Sequence, residues 1–110
     1  MSIPQDDQKY ARAILKAFYG QDVSEGIQIN DRTIDIIGQM LEKAYSCTEL
    51  IELVPRPVSP VGARPGVKWA LKQIRKTGRK LLSNPNAEVS LTCKKVIALS
   101  FRGRLEMTGL

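Results

Sequence analysis

Apolar and polar positions follow a helical period most clearly between Val67 and Ser83. At about 100° per residue, one stripe of this stretch is apolar and contains Val67, Ala70, Leu71, Ile74, Gly78, Leu81 and Leu82. The opposite arc carries Trp69 together with the six cations Lys68, Lys72, Arg75, Lys76, Arg79 and Lys80. The pattern predicts a helix with one face buried in a core and one cationic face exposed to solvent.

The apolar pattern of the N-terminal half predicts a second amphipathic helix, from about Pro4 to Tyr19. Ser2 is placed to cap it, and Gly20 is a natural stop. Its apolar stripe consists of Tyr10, Ala11, Ile14, Leu15 and Phe18. A polar loop, residues 21–30, is expected to follow, with Ile27 and Ile29 directed into the core.

A third helix is predicted from a cap at Asn30 or Asp31 to about Tyr45. Its core face consists of Ile34, Ile37, Met40, Leu41, Ala44 and Tyr45. The stretch from Ser46 to Glu49 has capping-box spacing, so a short helix through Val54 is expected next. Residues 55–66 contain four prolines and two glycines, which indicates an irregular, extended connector.

The C-terminal stretch admits two interpretations. Residues 87–102 lack Gly and Pro, which favours a largely buried helix, followed by a frayed tail from Arg104 to Leu110. Strand-like alternation at Val89, Leu91 and Cys93 favours instead a β-hairpin over residues 88–108. The first interpretation gives an all-α domain of four to five helices with a proline-rich connector. The second gives an α+β fold.

Charge divides the chain into two halves. Residues 1–55 carry five Lys/Arg and nine Asp/Glu, whereas residues 56–110 carry twelve Lys/Arg and two Asp/Glu. We therefore expect an acidic helical half (1–54), a connector (55–66) and a basic half (67–110), within one compact domain. A basic half of this kind is typical of proteins that bind a polyanion or an acidic protein surface. Alternatively, the acidic half covers the basic one, within one chain or between two copies.

Composition argues against catalysis. The chain has no histidine, which removes the commonest general base and metal ligand. Cys47 and Cys93 are too far apart for a ligand motif. Neither a signal peptide nor an apolar run of about 20 residues is present, so a cytoplasmic protein without a membrane span is expected. We expect a protein that is not an enzyme and uses no metal or cofactor.

The cationic arc of the 67–83 helix is the best candidate for a binding site. The predicted nucleic-acid-binding residues are Arg64, Lys68, Trp69, Lys72, Arg75, Lys76, Arg79 and Lys80. Lysines and arginines on one rigid face neutralise phosphates, and an exposed Trp69 can stack on an unpaired base. Arg75 and Arg79 are the expected base readers, since arginine offers a bidentate fork for guanine. DNA is preferred to RNA as the partner. The alternative function is a protein-interaction or regulatory adaptor module that binds an acidic partner or forms a homodimer through its two halves.

Overall fold

A computed structural model describes residues 3–44, 66–84 and 91–106 of the chain, and within these ranges the side chains of residues 91–93 are not described. This part of the chain is all-α and contains no strand. Its five helices are α1 (Gln5–Tyr19), α2 (Gln21–Gly26), α3 (Asp31–Ala44), α4 (Val67–Ser83) and α5 (Leu91–Glu106). The prediction of a small all-α domain is therefore confirmed, and the C-terminal hairpin is wrong because α5 spans most of its length.

Several predicted features lie outside the described residues. These are the cap at Ser2, the short helix after Ser46, most of the proline-rich connector and the last four residues of the tail. The cysteine Cys47 also lies outside them, and the side chain of Cys93 is not described.

Backbone hydrogen bonds and a glycine define the two ends of α1. The carbonyl of Pro4 accepts the amide hydrogen of Gln8 at 3.0 Å, which closes the first turn. Gly20 ends the helix with φ of +92°, a left-handed conformation that glycine adopts without a steric penalty. Its amide donates to the carbonyl of Lys16 at 2.9 Å.

The predicted loop at 21–30 contains the short helix α2, which sequence reasoning missed. Its C-terminal carbonyls are satisfied by the Arg12 guanidinium, which donates to Ser24 O at 2.6 Å and to Ile27 O at 3.1 Å. Ile27 is buried and Ile29 is half-buried, as expected. Asn30 is the cap of α3, because its Oδ1 accepts the amide hydrogen of Thr33 at 2.9 Å.

The central helix is α4, which packs against α1 and α3. Asp7 meets Arg75 and Tyr10 meets Gly78, so α1 and α4 run in the same direction. The core between these helices is aliphatic, with Phe18 of α1 at its edge. Its fully buried large apolar side chains are Ile14, Leu15, Ile34, Ile37, Met40, Leu41, Ile74, Ile97 and Leu105.

The last helix is only half-buried, which differs from the prediction of a largely buried helix. One row of α5 faces the core, namely Ile97, Phe101 and Leu105. Leu99 is 77% exposed and Val96 is 52% exposed. The apolar residues of this stretch do not share one stripe, so a straight helix cannot bury all of them at once. The helix also continues through Arg104, where a frayed tail was expected.

Candidate nucleic-acid interface

The buried face of α4 is rotated from the apolar stripe that the sequence defines. Gln73 and Thr77 are buried, at 5% and 2% exposure, whereas Leu82 is 45% exposed. On a helical wheel the buried arc lies roughly 50° from the predicted stripe, displaced toward Trp69. The rotation follows from two close helix contacts, at Gly78 and at Ala70.

Gly78 brings α1 against α4. A Cβ atom at this position would lie 2.4 Å from the Cβ and 2.8 Å from the Cα of Tyr10. On the other side, Gly38 of α3 accommodates Ala70, whose Cβ would lie 2.6 Å from a Cβ on residue 38. Glycine is required at both positions because no larger residue fits between the two backbones.

Besides Arg75, five cations of α4 are exposed on the side away from this buried arc: Lys68, Lys72, Lys76, Arg79 and Lys80. We call them the cationic row. Within the described ranges none of them forms an ion pair. The helix itself contains no acidic residue. At 1.5 Å of rise per residue, the four lysines follow one another every ~6 Å. A rigid array of uncompensated positive charge results.

Arg75 is not part of this free array. Its Nε and Nη2 atoms each donate to a different carboxylate oxygen of Asp7 at 2.8 Å. The Asp7 side chain is only 3% exposed, whereas that of Arg75 is 44% exposed. The hydrogen bond from Arg75 lowers the pKa of Asp7 below its ordinary value, and the same bond raises the pKa of Arg75. Asp7 occupies the Nε–Nη2 edge of the guanidinium, so only the Nη1 side of Arg75 is left for a base, and the role of Arg75 as a base reader stays a prediction.

Arg79 has a different environment. Its guanidinium carbon lies 5.7 Å from the centre of the Tyr10 ring, within the range of a cation–π contact. This contact restrains the arginine at the border between α1 and α4. Arg79 forms no ion pair among the described side chains, so its N–H groups stay available to an anion.

Trp69 is not the exposed platform that the sequence suggested. It is half-buried and packs against the core. Its Cζ3 atom lies 3.4 Å from the position that a Cβ on residue 38 would occupy. The ring therefore lies beside Gly38. The structure therefore gives Trp69 a packing role next to the site.

Sequence reasoning missed the residues that shape the site from outside α4. Asp7 of α1 was not predicted to belong to the site, although it is the buried partner of Arg75. Gly38 was not singled out, although a glycine inside a strongly apolar helix signals close approach of another backbone. Arg64, the remaining predicted site residue, lies outside the described residues.

Other candidate chemistry receives no support from the described ranges. No group of three His, Cys, Asp or Glu side chains there could hold a metal ion. Among the helices described, none is both long and apolar enough to cross a membrane.

Comparisons with known proteins supply no relative from which a function can be transferred. No protein family, curated protein or solved structure matches the chain. The function is therefore inferred from the geometry of α4 and its neighbours.

Proposed function

We propose that this protein is a non-enzymatic nucleic-acid-binding protein that uses the cationic row of α4. The observation that supports the proposal is the row itself, since its five exposed cations lie on one rigid helix that has no acidic residue. Each phosphate that such a row neutralises releases condensed counterions, which favours binding. Exposed cations held this close repel one another, and a bound polyanion relieves that repulsion.

Double-stranded DNA is the preferred partner. The grooves of B-form DNA are wide enough for a helix at their edge, whereas the major groove of A-form RNA is too deep and narrow for side chains to read. In our proposal α4 lies along the groove edge, with the lysines on phosphates. Because α1 and α3 cover the other side of α4, the helix presents a face to the duplex and does not enter the groove completely.

Weak sequence preference follows from this arrangement. Lysines act as point charges and phosphate contacts carry no direct base information. Base readout is then limited to two arginines of α4: Arg79, which forms no ion pair among the described side chains, and Arg75, whose Nε and Nη2 atoms are bound to Asp7 and whose Nη1 side is left for a base edge.

The proposal is tested by reversing charge within the row. The variant carries Lys68→Glu, Lys72→Glu, Lys76→Glu and Lys80→Glu, and Arg75 is retained because it holds Asp7. A matched control reverses four exposed cations elsewhere, namely Lys9, Arg32, Lys16 and Lys95. Binding to a labelled DNA duplex is measured by fluorescence anisotropy, and folding by circular dichroism.

The row variant should lose roughly a hundredfold or more in affinity, whereas the control, with the same net charge, should lose roughly tenfold or less. Equal losses would mean that overall charge, not the row, binds the duplex. An acidic protein would be attracted to the same row, and competition separates that alternative. DNA, RNA and heparin should displace one another from a phosphate-binding face, whereas a protein interface is saturated by one partner of matching shape.

A further inference from the structure

A second surface with binding character lies away from the cationic row. An open groove of about 610 Å³ is formed by α1, α2 and the C-terminal end of α4. Its apolar lining comes from Ala13 and Ala17 of α1 and from Leu81 and Leu82 of α4. Leu82 is 45% exposed, so this lining includes one of the three exposed large apolar side chains in the described part of the chain. The small alanines leave space that a larger apolar side chain from outside can fill.

Positive charge borders this apolar lining along α1. Lys9 and Lys16 are exposed, and neither forms an ion pair within the described ranges. Arg12, between them, is occupied by the carbonyls of Ser24 and Ile27. The one acidic residue of the lining, Glu25, accepts a hydrogen bond from the Gln21 amide at 3.0 Å. The two lysines are seven residues apart, which is about 10.5 Å along the helix axis.

We propose that this groove docks an acidic amphipathic helix of a partner protein. Two carboxylates seven residues apart on such a helix have the same spacing of about 10.5 Å and pair with Lys9 and Lys16. Apolar residues three and four positions after the first carboxylate then face Ala13 and Leu82. This is the helix-in-groove mode of recognition, with an apolar face for affinity and terminal charges for register.

Two other occupants fit the groove less well. It is open, so it would leave much of a small amphiphile in water, whereas small-molecule sites enclose most of their ligand. A second copy of this chain offers Asp35 and Glu42 at the required spacing on α3. Between them lies Gly38, which is buried under Ala70 and Trp69. A different protein is therefore the occupant that the charges and the apolar lining select.

The test uses the full-length chain and a labelled helical peptide of about 16 residues. The peptide has Glu at two positions seven apart, Leu at the third and fourth positions between them, and Ala and Gln elsewhere. A second peptide has the same composition with its two Glu residues adjacent. A third peptide carries Lys at both Glu positions. Binding is followed by fluorescence anisotropy against wild type, Lys9→Glu/Lys16→Glu, Leu82→Ser and Lys72→Glu/Lys76→Glu.

We expect saturable binding of the first peptide to wild type, with a roughly tenfold or greater loss in Lys9→Glu/Lys16→Glu. The lysine peptide should bind that double variant better than wild type, which shows that the variant is folded. Leu82→Ser should weaken binding severalfold. Lys72→Glu/Lys76→Glu makes the same charge change on the cationic row and should leave peptide affinity within about twofold. Loss of DNA binding by that variant is a separate outcome, so the two proposals can fail independently.

Three results would overturn the proposal. Equal affinity for the peptide with adjacent Glu residues would show that register is irrelevant. Equal losses in the two lysine variants would show that net charge alone attracts the peptide. Displacement of the peptide by dodecanoate at lower concentration than by unlabelled peptide would assign the groove to an anionic amphiphile.

Discussion

The two sides of α4 are attached to their neighbours in different ways. Toward α1, the contact consists of a glycine on α4 beneath Tyr10 and a bidentate ion pair between Arg75 and Asp7. Toward α3, the glycine belongs to the neighbouring helix, and the contact consists of Ala70 with the Trp69 ring over it. The first interface contains an ion pair, whereas the close contact described at the second is made by Gly38, Ala70 and Trp69.

The difference explains which groups of α4 are free for a partner. The interface with α1 withdraws the Nε–Nη2 edge of Arg75, and the interface with α3 withdraws most of the Trp69 ring. What remains exposed between the two interfaces is the row of lysines with Arg79, and the outer side of Arg75. Packing on both sides therefore converts a helix with varied recognition groups into a face dominated by point charges, which is suited to phosphates more than to bases.

The largest expected effect comes from filling either glycine contact. Gly78→Ala should destabilise the fold by about 2–3 kcal/mol, because the Tyr10 backbone cannot yield without moving α1. Gly38→Ala should destabilise the fold by a similar amount, because its added Cβ would clash with Ala70. Gly103→Ala on α5 is the matched control, since its added Cβ would have no neighbour within 4 Å beyond the adjacent residues and the backbone of its own helix. That substitution should stabilise by about 0.5–1 kcal/mol through helix propensity. Urea denaturation of the three variants measures all of these values, and unchanged or increased stability of Gly78→Ala or Gly38→Ala would contradict the close packing.

Breaking the ion pair should affect only the interface with α1. Arg75→Ala leaves the buried Asp7 carboxylate unpaired and should cost about 2–3 kcal/mol at pH 7, while Asp7→Asn should cost about 1–2 kcal/mol. A double-mutant cycle with both substitutions isolates the coupling between the two side chains. If the sum of the single losses equals the loss in the double variant, the two groups do not interact.

The same pair makes stability sensitive to acid. Arg75 lowers the pKa of Asp7 in the folded protein, so the stabilisation is present above the ordinary carboxyl pKa and is lost as pH falls through the lowered value. As the pH is lowered, the free energy of unfolding of wild type should therefore fall toward that of Asp7→Asn. The difference in free energy of unfolding between wild type and Arg75→Ala should also shrink, since the unpaired Asp7 carboxyl of that variant can take up a proton. Urea denaturation at pH 7 and at about pH 3 tests both directions.

A substitution in the buried arc of α4 is expected to have a smaller effect, and to stabilise the fold. The Thr77 hydroxyl is buried and has no hydrogen-bond partner among the described residues. Thr77→Val removes this hydroxyl and keeps the shape of the side chain, so it should stabilise by about 1 kcal/mol. Thermal unfolding measures the change. A loss of stability would mean that the hydroxyl is satisfied in solution.

Sequence reasoning recovered the parts of the fold that depend on local pattern. The spans of α1, α3 and α4 follow from helical periodicity and from the cap at Asn30, and their centres were correct. The small helix α2 was missed because its six residues hold no apolar stripe, and its stability comes from Arg12 on another helix. The fate of Trp69 was missed for a related reason. Its environment is set by a glycine some thirty positions earlier in the chain, and no local pattern carries that information.

The charge pattern of α4 was recovered only in part. Six exposed cations were predicted, and the described side chains leave five of them unpaired. Arg75 differs because Asp7 comes within reach only when α1 and α4 run side by side in this register. Pairing across 68 residues is a property of tertiary packing, so the sequence could indicate the cationic face but not which of its members is occupied.

The central claim, that the cationic row binds DNA phosphates, is tested most directly by the salt dependence of binding. The dissociation constant for a DNA duplex is measured over a series of salt concentrations, for wild type and for single Lys→Ala variants at positions 68, 72 and 76. If the five cations of the row each neutralise one phosphate, the logarithm of the association constant, the reciprocal of the measured constant, should fall against log[salt] with a slope of roughly −4 to −5, and each substitution should reduce the magnitude of the slope by about one. A slope near zero, or a steep slope that none of the three substitutions changes, would contradict the assignment of the row as the binding face.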